Sequence, residues 1–383
     1  MPSFDLSKEW VIMVPPNSPA AQRGGEELSG AMDLLRKQAR VSMPPPRLED
    51  ASRSGSGAST PIILLNVESG AEKLNGFSWR LGRDRLEIYG ASERGLYNGI
   101  FEFLAALGVR WPRPDEALSP GKSLSPNKPG GSPAALPAMD RVRPWEYPLK
   151  ETKGYRPTDT NIPGRRRLFL SRALSPKSRE TWILWAARNR IDGVVFPLAE
   201  TSGPLARLAG NGGRSRDNLV ALAEAYALAI EAGGWDLSLF VPRRYFLKDP
   251  ELFRMEQGKR VRRINFCATN PDTLGIIKSE GTRIFREHPG TSVFHLWPDR
   301  GHEGIWCACP SCRAFSPAEQ NRIAVNCAAD VLAELNPAAR ISYYENTDEQ
   351  IDILPRPAMF RLTKLPGEAG AEGEGLFWAG GNS

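Results

Sequence analysis

Apolar positions along this chain recur in two registers, short runs with strand character and longer stretches at helical spacing. Residues 10–14 form an apolar run closed by Pro15-Pro16, and 20–40 follow with Leu28, Ala31, Met32 and Leu35 on one helical face. Residues 61–67 predict a buried strand, and 77–89 alternate as a hairpin turning at Gly82-Arg83-Asp84. A helix over 92–107 places Leu96, Ile100, Phe103, Leu104 and Leu107 together and stops at Gly108. These elements make a small α/β domain over residues 1–114.

Residues 115–138 are dense in Pro, Gly, Ser and Lys and predict a linker. Beyond it the units lengthen. Strands are expected at 147–153, 193–197, 236–241, 291–297 and 340–344. Helices are expected at 178–190, 216–232 (stopped by Gly233-Gly234), 270–287 behind an Asn270 cap, and 316–335 behind Ser316-Pro317. Repeated β-then-α units without a phosphate-binding fingerprint favour a barrel over a dinucleotide fold. The fold class is therefore α/β: the small N-terminal domain, then an incomplete (β/α) TIM-like barrel of about five strands over 139–349. Residues 350–383 read as an irregular tail. So few strands leave parallel edges open, which an oligomer would cover.

Composition narrows the partners. Hydrophobic residues make up 41% and charged residues 25% of the 383, a globular balance. The net charge of +6 is spread out apart from 165–167 and 260–263, so no nucleic-acid footprint forms. The longest apolar run is too short to span a bilayer, so no membrane partner is expected. No apolar segment of a secretory leader follows Met1, and five cysteines, three of them crowded, suit reduced thiols in a cytoplasm.

The chemistry concentrates in residues 297–312, WPDRGHEGIWCACPSC. Glycosidic cleavage needs two flanking acidic functions, or one acid and an assisting substrate group, and in barrels these project from the C-terminal strand ends. Asp299, which follows a strand directly, and Glu345, which follows the next, are the favoured carboxylates, with Glu303 and His302 on the same loop as Asp299. Sugars stack on flat aromatic faces, for which Trp306, Trp297 and Tyr245 are candidates, and Arg156 could bind a hydroxyl or carboxylate. Cys307, Cys309 and Cys312 put three soft ligands near one metal, and Cys267, His302 or His295 would complete a tetrahedral zinc site. Packing of small buried thiols explains the same cysteines without a metal.

Three stretches resemble a known group. GLYNGIFEFLAALGVRWPRPDE (95–116) resembles the end of the N-terminal domain of α-glucuronidases and β-hexosaminidases. YFLKDPELFRMEQGKR with NFCATNP (245–271), followed by Asp299 and Cys307, Cys309 and Cys312, is similar to a poorly characterised bacterial glycoside-hydrolase-like family. Some relatives there are endo-β-N-acetylglucosaminidases. The resemblance spans roughly residues 90–350 and implies a barrel hydrolase acting on an oligosaccharide or glycan without a required cofactor; a structural zinc rests on the cysteine spacing alone. The chain departs from the pattern at LFVPRRYF, where a histidine is expected. The alternatives are an inactive carbohydrate- or partner-binding remnant, or a protein whose thiol site is its purpose.

Overall fold

The computed structural model describes residues 3–53, 60–67, 76–109, 111, 146–148, 152–153, 166–171, 173–198, 212–346, 351–366, 368 and 376–379. The expected linker at 115–138 lies outside them, as does Arg156. The chain divides into two compact units, the first comprising residues 1–164, 180–192 and 221–228 and the second the remainder.

In the first unit, β1 (Ser3–Asp5), β2 (Val11–Val14), α1 (Pro19–Gln38), β3 (Arg47–Asp50), β4 (Ile62–Val67), β5 (Phe77–Leu81), β6 (Arg85–Gly90) and α2 (Glu93–Ala106) follow in order. The expected hairpin is β5–β6, and the helix over 92–107 is α2, capped by the Ser92 hydroxyl, which accepts from the Gly95 N–H. A six-stranded sheet of order β3-β2-β4-β6-β5-β8 ends on β8 (Thr152–Lys153), and β7 (Glu146–Pro148) pairs with β1. This corrects the expectation of a barrel strand over 147–153. The segment is split between two antiparallel pairings, both within the first unit.

The second unit is built on a parallel sheet of order β16-β15-β14-β11-β10-β9-β17. Its strands are β9 (Arg167–Leu170), β10 (Gly193–Phe196), β11 (Ala229–Gly234), β14 (Val293–Leu296), β15 (Arg340–Tyr344), β16 (Met359–Leu362) and β17 (Leu376–Ala379). Helices α3 (Pro176–Arg188) and α4 (Gly212–Ala225), whose residues 180–188 and 221–225 belong to the first unit, connect β9 to β10 and β10 to β11 along the chain, while α5 (Pro271–Arg286) and α6 (Pro317–Leu335) precede β14 and β15. The sheet is the expected incomplete (β/α) barrel, with seven strands among the described residues instead of five.

The strands differ from expectation in three ways, of which only the last raises the count. The first strand is β9, inside RRRLFL, where Arg167 is fully buried. The third strand is 229–234, and the expected 236–241 is a tight turn that buries Leu237 and Phe240. Residues 350–383, expected to be irregular, supply β16 beside β15 and β17 beside β9. Both are short strands among Pro, Gly and Glu, which hides their alternation.

Between β11 and α5 the chain makes a long excursion carrying the small hairpin β12 (Met255–Glu256) and β13 (Lys259–Arg260). Gln257 and Gly258 turn it with positive φ at both positions (48° and 77°), the backbone a two-residue hairpin turn requires. Helix α5 starts where Asn270 Oδ1 accepts from the Asp272 and Thr273 N–H groups, and α6 starts at a capping box between Ser316 and Glu319.

Candidate functional site

The barrel strands carry a buried polar layer that sequence reasoning missed. Arg167 Nε of β9 donates to Glu231 Oε2 of β11 (2.7 Å), and His295 Nε2 of β14 lies 2.9 Å from the same oxygen. His295 Nδ1 is 2.6 Å from Ser342 Oγ of β15, which also accepts from Trp297 Nε1 (3.0 Å). All five side chains are fully buried. Burial holds His295 below its ordinary pKa against the opposing pull of Glu231, so the ring is neutral. A neutral ring donating from Nε2 to Glu231 accepts the Ser342 O–H hydrogen bond at Nδ1, and Ser342 Oγ accepts from Trp297.

Two cavities open at the C-terminal strand ends. The first, about 290 Å³, is lined by Phe169, Pro197, Gly233, Trp235, Asp236 and Arg300 among others. Trp235 is half-buried, packs edge-on against Trp297 (5.2 Å) and carries the Arg300 guanidinium 4.9 Å above its ring. The second, about 320 Å³, brings Glu303 and Glu345 together with Pro298, Asn321, Tyr344 and Asn346. Glu303 Oε1 accepts from the Gly301 N–H (3.0 Å). Glu345 is buried, ion-paired to Arg322 and 3.7 Å from Arg361 Nε. Burial raises the Tyr344 hydroxyl above its ordinary pKa, and Glu368 and Glu303 add to the shift.

Asp299 faces neither of these described cavities. Its Oδ2 accepts from Arg243 Nη2 (3.2 Å) and from the Asn265 N–H (2.9 Å). Two of the expected aromatic platforms are corrected: Trp297 is 0% and Trp306 6% exposed, so neither offers a face to a sugar. Trp306 Nε1 donates to the Glu303 carbonyl (3.0 Å), and its ring packs edge-on against Phe266. Tyr245 is half-buried beneath Arg244, 4.9 Å from its ring centroid. The His302 N–H donates to the Asp299 carbonyl (2.9 Å), at the tight bend that begins the carboxylate loop.

The thiols converge. The sulfurs of Cys267, Cys307, Cys309 and Cys312 lie within 4.8 Å of one another, all four buried, and can hold a metal ion. Of the three candidate fourth ligands, the structure selects Cys267; His295 belongs to the barrel layer. Cys267 lies 3.8 Å from Cys309 and 3.7 Å from Cys312. Four thiolates around zinc at about 2.3 Å span tetrahedron edges of roughly 3.8 Å, so these separations fit. Surrounding donors point at the sulfurs: the Met255 N–H reaches Cys307 Sγ (3.2 Å), Arg260 Nη1 reaches it at 3.7 Å, and Thr269 Oγ1 is 3.1 Å from Cys312 Sγ. Hydrogen bonds from the Cys307 and Cys312 thiols and from Arg260 lower the pKa of Cys267, and the same contact with Cys267 raises that of Cys307.

Gln320, in the first turn of α6, fastens the cysteine loop. Its Oε1 accepts from the Cys307 N–H (3.1 Å), and its Nε2 donates to the carbonyls of Cys307, Cys312 and Phe315. A glutamine near a helix start gives no such signal in the sequence.

No family model matches the chain, and no curated protein matches it by sequence. Solved structures do. A GH20 β-N-acetylhexosaminidase from Streptomyces coelicolor A3(2) has a TM-score of 0.53 at 14% identity, over 94% of this chain and 65% of that one. The Flavobacterium johnsoniae chitobiase also reaches 0.53 at 14% identity, over 94% of this chain and 52% of its own. The β-N-acetylhexosaminidase from Bacteroides fragilis NCTC 9343 gives 0.50 at 13% identity, over 94% and 66%. The likeness is one of fold. The chain spans between half and two thirds of the length of these structures.

Proposed function

We propose that this protein is a glycoside hydrolase acting on a glycan that contains N-acetylhexosamine, with its reaction centre at the C-terminal mouth of the barrel. The observation that carries the reading is the cavity lined by both Glu303 and Glu345, two carboxylates from loops at the ends of adjacent parallel strands. Its support from outside the chain is the fold shared with β-N-acetylhexosaminidases.

Glu303, on the open side, is assigned proton transfer to the leaving oxygen. The second acidic function is assigned to Glu345, held by Arg322 and Arg361 on the inner side. Trp235 in the neighbouring cavity supplies a flat face for a sugar ring, and Arg300 a hydrogen-bonding fork beside it. Asp299, favoured from the sequence, takes a positioning role, because its carboxylate holds the loop through Asn265 and Arg243. The thiolate cluster is read as a structural zinc site. A cytoplasmic setting, and an oligomer covering the outer edges of β16 and β17, belong to the same proposal.

The test is release of the aryl group from a panel of aryl N-acetyl-β-hexosaminides and the matching hexosides, run beside Glu303→Gln and Glu345→Gln. The expected result is turnover of the N-acetylated substrates and a loss of at least 100-fold, roughly the lower end for removing a general acid or base, in each variant. Turnover unchanged in both variants rejects the assignment of the carboxylates. Turnover of plain hexosides at the same rate rejects the N-acetyl preference.

A further inference from the structure

The four thiols do more than sit beside the carboxylate loop: they join it to a second segment. One ligand, Cys267, comes from the excursion between β11 and α5, and three come from the loop after β14. Resting on the zinc reading above, we propose that zinc at Cys267, Cys307, Cys309 and Cys312 is a clasp that binds these two segments together and thereby fixes Glu303 in the wall of its cavity.

The contacts run in a strip from the metal corner to the carboxylate. Next to the ligands Cys267 and Cys307 stand Phe266 and Trp306, whose rings meet edge-on at 5.6 Å. Trp306, itself buried, donates its indole N–H to the Glu303 carbonyl at 3.0 Å. The backbones are also stitched together, Ala308 N–H to the Met255 carbonyl at 2.9 Å. At the far end Asn265 Nδ2 donates to the carbonyls of His302 (3.1 Å) and Ile305 (2.6 Å). Asn265 thus holds Glu303 from both sides, at His302 and Ile305, and two residues beyond Ile305 the same stretch reaches the ligand Cys307.

Regular structure contributes little to the stretch, which side chains hold instead: Gln320 at Cys307, Cys312 and Phe315, and Arg243 and Asn265 at Asp299. Between the end of β14 and the start of α6, the only regular structure is one short turn at Cys312–Ala314. Connections of this length inside a compact domain need a fastening, and tying two distant segments removes the most chain entropy. The excursion is strained at its pinned end, where Ile264 and Asn265 adopt φ of 60° and 43°. For a β-branched residue such as Ile264 that conformation persists only when its surroundings enforce it. A disulfide is not the fastening: all five cysteines are free, and sulfurs 3.7 and 3.8 Å apart are well outside bonding distance. Glu345 is held differently, by Arg322 of α6 and Arg361 of β16, so loss of the metal would free one wall of the cavity and leave the other.

The experiment uses the full chain purified with zinc. Metal content is measured per chain, then hydrogen exchange is followed for peptides covering 254–268 and 297–316, with β9 and β10 as the reference, before and after chelation and after zinc is restored. The expected result is one zinc per chain, exchange at both segments at least about tenfold faster after chelation, an unchanged reference, and recovery with zinc alone. A chain that holds no zinc overturns the metal reading itself. Zinc present, with exchange indifferent to its removal, overturns the clasp and leaves the metal site standing. If chelation melts the whole chain, Trp306→Phe decides: all four thiolates remain, so one zinc per chain should persist while exchange at 301–305 rises. Unchanged exchange there overturns the link between metal corner and Glu303.

Discussion

Asn265 and Asp299 hold each other in both directions: the Asn265 N–H donates to Asp299 Oδ2 (2.9 Å), and the Asp299 N–H donates to Asn265 Oδ1 (3.3 Å). Arg243 completes the knot by donating to Asp299 Oδ2 and to the Asn265 carbonyl. A residue placed after a barrel strand like a catalytic acid is thus engaged in holding two loops together. Asp299→Ala and Asn265→Ala should each cost about 1–3 kcal/mol, since each leaves partly buried donors or acceptors unpaired. In urea denaturation the double variant should cost less than the two singles added, because both break one network. Strict additivity would show that the pair is not coupled.

The buried layer makes a sharper claim. Arg167 and Glu231 are both fully buried, and Glu231 also receives His295. Removing the charge from one partner of a buried pair strands the other, at a cost of about 3–5 kcal/mol. Glu231→Gln should therefore destabilise the chain by that order, whereas Asp330→Asn, whose carboxylate and Arg356 partner are both well exposed, should cost under about 1 kcal/mol. Equal midpoints for the two variants would contradict the structure.

His295 sets a pH dependence whose sign follows from burial. Its folded pKa lies below the ordinary 6.5, so in acid the unfolded chain takes up a proton that the folded chain refuses. The stability is fully present above about pH 6.5 and declines as pH falls below it, by at most about 1.4 kcal/mol per pH unit. Urea midpoints between pH 7.5 and 5.5 should show that decline, and His295→Gln should flatten it. A slope of the same size in the variant would assign the effect to other groups.

These contacts also explain what the sequence reveals of this fold. Elements announced by local chemistry are read correctly: the helix cap at Ser316-Pro317, the Asn270 cap, the hairpin at Gly82-Arg83-Asp84 and the clustered thiols. What hides is whatever depends on a distant partner. Strand β9 carries Arg167 and β11 carries Glu231, charges that look solvent-facing until 64 residues of separation are closed and each neutralises the other. Asn265 and Gln320 likewise satisfy backbone groups that lie far away or on loops without a pattern. Glu303 and Glu345 were legible as candidates by residue type and strand-end position. Which carboxylates share a cavity is a matter of loop path, and that is where the favoured pair changed.

The thiols predict a counting result. Burial pushes Cys327 up to about 11, so the remaining thiol, outside the cluster, is unreactive near neutrality in the folded chain. With zinc bound, a haloacetamide at pH 8 should label none of the five cysteines appreciably. After chelation under native conditions it should label cluster cysteines and still spare Cys327, and only denaturation should expose all five. Mass spectrometry of the labelled peptides reads each state, and early labelling of Cys327 would show that its helix is looser than the structure holds.

At Gly233 backbone approach, rather than any side chain, joins β11 to β14. From the sequence, Gly233-Gly234 looks like the end of a helix; in the structure the pair ends β11, with φ of 112° and 130°. Gly233 pairs with His295, and a Cβ there would stand 2.1 Å from the His295 carbonyl oxygen, a backbone atom with nowhere to move. The same addition at Gly234 meets open space. Gly234→Ala should therefore carry only the left-handed backbone penalty, about 1–3 kcal/mol. Gly233→Ala adds to it the separation of β11 from β14, and with that the geometry of Glu231 and His295 beneath the Trp235 cavity, so its cost should exceed about 4 kcal/mol. Denaturant midpoints of the two variants decide the matter: a clear gap supports close strand approach at Gly233, while equal losses would mean that β11 and β14 do not meet in this register.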